Sequence, residues 1–180
     1  MRTIFRVKTI ALIGFMGSGK SAVARILAKK LKRKLFSTDG LIEKKEKHTI
    51  ADIFTQKGEA YFRHVEKEVL AAIVQEKGCL IDCGGGIILD EDNRRILKNN
   101  CTLFYLKSTP EMIYKRVNDQ KKRPLLNVAD PKAKIEKLLK IRAPLYREAD
   151  FTINSDGRTP QDMAEEILKV IKQWMSLIRF

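Results

Sequence analysis

The chain has 180 residues, 44% of them hydrophobic, which is enough for one domain with a buried core and too apolar for a disordered chain. Lysine and arginine outnumber aspartate and glutamate by 36 to 22, a formal charge of +14 that suits an anionic small molecule or a nucleic acid. Cys79, Cys83 and Cys101 form no CxxC pair, which points to a reducing compartment and a cytoplasmic protein, and no apolar run approaches the length of a membrane span.

In chain order, Thr9–Ile13 reads as a short apolar strand, too brief and too close to a glycine turn to be a signal-peptide core. Further strands are predicted at Lys34–Ser37, Cys79–Cys83, Cys101–Leu106 and Phe151–Asn154. Between them, apolar residues recur at helical spacing: Val23, Ile26, Leu27 and Leu31; Phe62, Val65, Val69 and Ile73; Met163, Ile167, Val170, Ile171, Trp174 and Ile178. This alternation predicts an α/β domain over 1–180, a parallel sheet with helices on both faces. Two stretches exceed that minimum. Gly40–Gly58 holds two short helices, with a capping signal in Thr49-Ile-Ala-Asp52. Asn118–Asp130 is polar and basic, and its Arg123-Pro124 step bars a continuing helix, as in a lid.

The first strand runs into Gly14-Phe-Met-Gly17-Ser18-Gly19-Lys20-Ser21, a complete Walker A pattern. Its glycines let backbone N–H groups turn inward around phosphates, with Lys20 reaching the β- and γ-phosphates and the Ser21 hydroxyl binding Mg²⁺. Gly14, Gly17, Ser18, Gly19, Lys20, Ser21 and Ala22 are therefore the candidate ATP-binding loop, backed by the positive end of the following helix.

The acceptor must be found elsewhere. Asp39 follows the second strand, Arg63 and Glu66 lie one helical turn apart, and Gly84, Gly85 and Gly86 follow the third strand. Arg123 and Arg142 stand in Arg123-Pro-Leu-Leu and Arg142-Ala-Pro-Leu-Tyr146. Arginine forks match a carboxylate, and an aspartate accepts from hydroxyls and can take a proton from one. The set suits a small substrate bearing both groups. Plainer readings stand beside it: Arg63 as the surface partner of Glu66, the glycines as a turn, Arg123 as a solvated charge. His48 and His64 read as exposed histidines without a role.

Taken in order, "GFMGSGKS", "IADIF…GE", "FRHVE", "GGG", "RPLL" and "RAPLY" resemble shikimate kinase across nearly the whole chain. The resemblance implies a three-layer P-loop kinase fold with a five-stranded parallel sheet of order 2-3-1-4-5. It also implies ATP, Mg²⁺ and phosphorylation of the 3-hydroxyl of shikimate, on the route to chorismate and the aromatic amino acids. By position, Asp39 would bind the acceptor hydroxyls and assist proton removal, Arg63 and Arg142 would grip the carboxylate, and Gly84–Gly86 would line the pocket. Glu66 would orient Arg63, residues 40–65 would form the substrate-binding insertion, and Arg123 would arrive with the lid at 118–130. Arg116, Arg158 and Pro160 match positions that flank adenine. No nucleic acid, membrane or second subunit is expected.

One departure stands out. The family usually carries Asp-x-Asp after the second strand, the first Asp helping to hold the metal; here the stretch reads Ser37-Thr38-Asp39. Asp82, ending an apolar strand just before the glycine triplet, is the candidate replacement, opposite Ser21. The rival readings are another small P-loop kinase, for gluconate or a nucleoside monophosphate, and a basic nucleic-acid-binding protein. The paired arginine motifs count against the first, and the lack of a basic-aromatic stripe against the second.

Overall fold

The computed structural model describes residues 9–118 and 128–177. Five parallel strands form one sheet in the order β2-β3-β1-β4-β5. They are β1 (Thr9–Ile13), β2 (Leu35–Ser37), β3 (Leu80–Asp82), β4 (Cys101–Lys107) and β5 (Phe151–Asn154). The predicted order and parallel sense hold.

β1 is buried along its whole length because it pairs with β3 on one side and β4 on the other. Its successive side chains face opposite layers, as the pleat requires. Ile10 and Leu12 join Val23 and Leu27 of α1 (Lys20–Leu31) and Met163 and Ile167 of α7 (Pro160–Leu177). Ala11 and Ile13 face the other layer. That layer takes apolar residues from α3 (Ile50–Ile73), α4 (Glu91–Asn100), α5 (Pro110–Asn118) and α6 (Pro131–Tyr146).

Several boundaries differ from the sequence reading. Lys34 stays outside β2, although its carbonyl still accepts from Leu80 N at 2.9 Å. Cys79 and Cys83 flank β3 rather than belong to it, and β4 runs on to Lys107. α2 (Thr38–Glu46) starts earlier than expected because the Ser37 side chain accepts from Gly40 N at 3.2 Å and caps it. Asp39 therefore sits in the first turn of a helix. The capping signal at Thr49 and Asp52 forms a full capping box. α3 then runs past the expected stop, bending at Gly58, whose φ of 80° interrupts the helical backbone. In α7, Met163, Ile167 and Ile171 are buried, while Trp174 is only half-buried. Ile178 and most of the predicted lid, Arg123 included, lie outside the described residues. No described helix is long and apolar enough to cross a membrane.

Candidate active site

The Walker A loop leaves the C-terminal end of β1, where the chain passes to one side for β2 and β3 and to the other for β4 and β5. Ligands of open α/β sheets collect at such switch points. The turn demands glycine. Gly14 has φ 146°, and a Cβ there would lie 2.7 Å from Leu106 O. Gly17 has φ 76°, and a Cβ there would lie 2.8 Å from Val117 Cγ1. Gly19, in the left-handed region, precedes α1, whose first turn carries no acid to offset its positive end.

Buried Lys20 curls back over this loop, donating from Nζ to Gly14 O at 2.9 Å and Phe15 O at 3.0 Å. Ser18 Oγ is buried and has no hydrogen-bond partner among the described residues. Ser21 is exposed and Ala22 half-buried in the first turn of α1. Arg116 braces the loop, donating to Gly17 O at 3.3 Å and Ser155 O at 2.6 Å. Arg158 is tied instead to Glu166 and to the carbonyls of Asn154 and Asp162, beside Pro160 at the start of α7.

The glycine triplet joins this loop to the acceptor side. Gly84 N donates to Thr38 Oγ1 at 2.7 Å, and a Cβ on Gly84 would overlap Asp39 Oδ1 and come within 3.1 Å of Glu66 Oε1. A Cβ on Gly85 would lie 3.2 Å from Met16 N of the phosphate loop, and Gly85 O accepts from the Tyr146 hydroxyl. Gly86 abuts the Arg63 guanidinium. Three adjacent residues thus lie against Asp39, the phosphate loop and Arg63 in turn, so closely that a Cβ at Gly84 or Gly86 would force its neighbour to move and one at Gly85 would crowd the loop.

Arg63 does pair with Glu66, at 2.7 Å, yet this is no surface pair: Glu66 is 1% exposed. Burial pushes the Glu66 carboxyl up to about 7, against the pull of Arg63, and Asp39 and Asp90 add to the rise. Arg142, on α6, is 4% exposed and lies over the Phe15 ring at 5.5 Å. Among the described residues no carboxylate pairs with it. A buried cation without an anion is costly, so an anionic ligand would gain by pairing with it. Asp82 is also buried and lies in register with Leu12 of β1 and Ser37 of β2.

The sequence reading passed over three residues here: Thr38, which anchors Gly84; Tyr146, whose ring stacks on Tyr105 at 5.0 Å; and Glu59, which pairs with Arg63. Two of the three carried a signal: Tyr146 its place in "RAPLY", and Glu59 its place in "IADIF…GE". His48 and His64 are exposed as expected, His64 lying 3.3 Å from Glu68.

Residues 16–172 match the profile of the family described as shikimate kinase. The chain belongs to the shikimate kinase family. Two relatives described as shikimate kinase show how evenly the family likeness is spread. That of Thermodesulfovibrio yellowstonii is 40% identical over 91% of this chain and 94% of its own length. That of Dehalococcoides mccartyi is 43% identical over 92% and 94%. Among solved structures, shikimate kinase from Acinetobacter baumannii in complex with shikimate superposes with a TM-score of 0.90 at 40% identity, over 93% of this chain and 94% of that one. A gluconokinase from Sinorhizobium meliloti, covering 96% of each chain with a TM-score of 0.62, is only 13% identical, which shows a shared fold alone. As a shikimate kinase family member, the protein is an ATP-dependent phosphotransferase.

Proposed function

We propose that the protein transfers the γ-phosphoryl group of ATP to the 3-hydroxyl of shikimate, giving shikimate 3-phosphate and ADP. The observation that carries this reading is the buried Arg142, without a carboxylate partner among the described residues, on the same helix as Tyr146, whose hydroxyl donates to the triplet that links Asp39 to the phosphate loop. Shikimate supplies what the pocket asks for: one carboxylate for Arg142 and Arg63, and hydroxyls for Asp39.

Asp39 accepts the proton of the attacking hydroxyl as its oxygen bonds to the γ-phosphorus and the bond to the β–γ bridging oxygen breaks. Lys20, already inside the loop, moves from backbone carbonyls to phosphate oxygens. Gly14, Gly17, Ser18, Gly19, Ser21 and Ala22 complete the phosphate cradle, Arg116, Arg158 and Pro160 border the base, and Arg123 stabilises the transferring group. The Ser21 hydroxyl and the Asp82 carboxylate are hard oxygen donors that fit Mg²⁺. Among the described residues no group of three His, Cys, Asp or Glu side chains could hold a metal by itself, so the phosphates must share the ion. When bound, Mg²⁺ neutralises charge on the β- and γ-phosphate oxygens. We read the protein as a cytoplasmic monomer that binds no nucleic acid; its three buried cysteines support a reducing compartment.

A coupled ADP-release assay tests the function. Turnover is expected with shikimate and is expected to stay near background with gluconate or nucleoside monophosphates. Equal turnover with any of these acceptors, or ATP hydrolysis indifferent to shikimate, would overturn it.

A further inference from the structure

The Arg63 guanidinium has three edges through which it can meet an anion, and each has an occupant. On one, Nη1 donates to Glu66 Oε2 at 2.7 Å. The tip between Nη1 and Nη2 faces Gly86: a Cβ there would lie 2.5 Å from both nitrogens but 2.8 Å from Cζ, so the backbone meets the end of the fork rather than its flat face. On the third edge, Nε and Nη2 both donate to Glu59 Oε1, at 3.2 and 2.9 Å.

These occupants differ in how readily they can leave. Glu66 is 1% exposed and belongs to the core, and Gly86 is backbone. Glu59 is 54% exposed, and it directly follows Gly58, around whose Cβ position nothing lies within 4 Å. The Nε/Nη2 edge is also one that offers a carboxylate two parallel N–H donors. Releasing a half-exposed carboxylate into water costs little, because such ion pairs are weak.

We propose that Glu59 is a built-in competitor of the substrate carboxylate. It holds the Nε/Nη2 edge of Arg63 until an incoming carboxylate displaces it, and so sets the affinity for the acceptor. The Nε/Nη2 edge is thereby never left unpaired, and binding becomes an exchange of one carboxylate for another. The inference rests on Arg63 being part of the carboxylate clamp, and the test separates the two ideas.

Calorimetric titration of the full chain with shikimate, across Glu59→Gln, Arg63→Ala and the double variant, forms a cycle. Glu59→Gln is expected to tighten Kd about two- to five-fold, the scale of one exposed ion pair that no longer has to be broken. In steady-state assays the gain should fall on KM rather than kcat. In the Arg63→Ala background the same substitution should change nothing. Weaker or unchanged binding in Glu59→Gln, alongside a severe loss in Arg63→Ala, would overturn the competitor while keeping the clamp. Tightening that persists without Arg63 would make the effect a general charge effect and also overturn it. Unchanged binding in Arg63→Ala would bring down the clamp itself.

Discussion

Glu66 is held by two opposed forces. Removal from water favours its neutral form, and the Arg63 guanidinium favours the charged one; the first prevails, with the carboxyl raised from 4.5 to about 7. Its Oε2 accepts from Arg63, while Oε1 is buried without a partner among the described residues. The folded state then binds a proton that the unfolded chain has already released between pH 4.5 and about 7. Stability should fall as pH rises through that window and level off above it, by an amount on the order of 3 kcal/mol. Thermal unfolding at stepped pH should show this decline in the parent protein and a flatter profile in Glu66→Gln. Parallel profiles would mean that Glu66 ionises as readily folded as unfolded.

At the scale of elements, the pairing of β2 with β3 sets Ser37 and Asp82 side by side, which bears on the proposed Mg²⁺ site. Ser37 and Asp82 are register partners on neighbouring parallel strands, Asp82 also lies opposite Leu12, and β1 runs on into the phosphate loop. A carboxylate removed from the end of β2 can thus be supplied from the end of β3 within the same row of the sheet. Ser37 meanwhile caps α2, a role its hydroxyl performs well. Asp82→Asn is expected to raise the Mg²⁺ concentration needed for half-maximal turnover several-fold and to lower kcat. Adding Ser37→Asp to that variant should recover part of the loss. A Mg²⁺ titration of the three proteins checks both, and an unchanged requirement in Asp82→Asn would leave Ser21 and the phosphates as the ligands.

For the whole molecule, the surplus of positive charge matters more than any one surface pair. Lys30 with Glu165, Lys45 with Glu68, and Lys98 with Glu148 are exposed pairs of small energetic weight. They neutralise charge locally and leave a net +14 to act at a distance. Both proposed substrates are anions, so their encounter should be steered by this field and weakened by salt. Raising ionic strength from about 0.02 to 0.3 M is expected to lower kcat/KM for shikimate a few-fold, chiefly through KM. A salt-independent kcat/KM would assign the charge to solubility alone.

Residues close together in the chain made much of the protein legible in advance. Glycine spacing identified the phosphate loop, because positive φ is a property of single residues; Thr49 and Asp52 announced their capping box; and the alternation of apolar periods implied a sheet between two helical layers. The order of small motifs was enough to suggest the family. What local spacing does not carry is which side chain faces which across the fold. Thr38 meets Gly84 across 46 residues and Tyr146 meets Gly85 across 61, while Ser37 meets Asp82 only through strand register. Arg63 and Glu66 could be paired from sequence, but burial, helped by Asp39 and Asp90, turned an ordinary helical ion pair into one whose carboxyl is pushed up to about 7. Glu59 lies just four residues from Arg63, and its meaning still waited on Gly86, whose backbone closes the tip of the fork. Tertiary structure decided these points because desolvation and close backbone approach depend on everything packed around a group, and sequence spacing specifies only its neighbours along the chain.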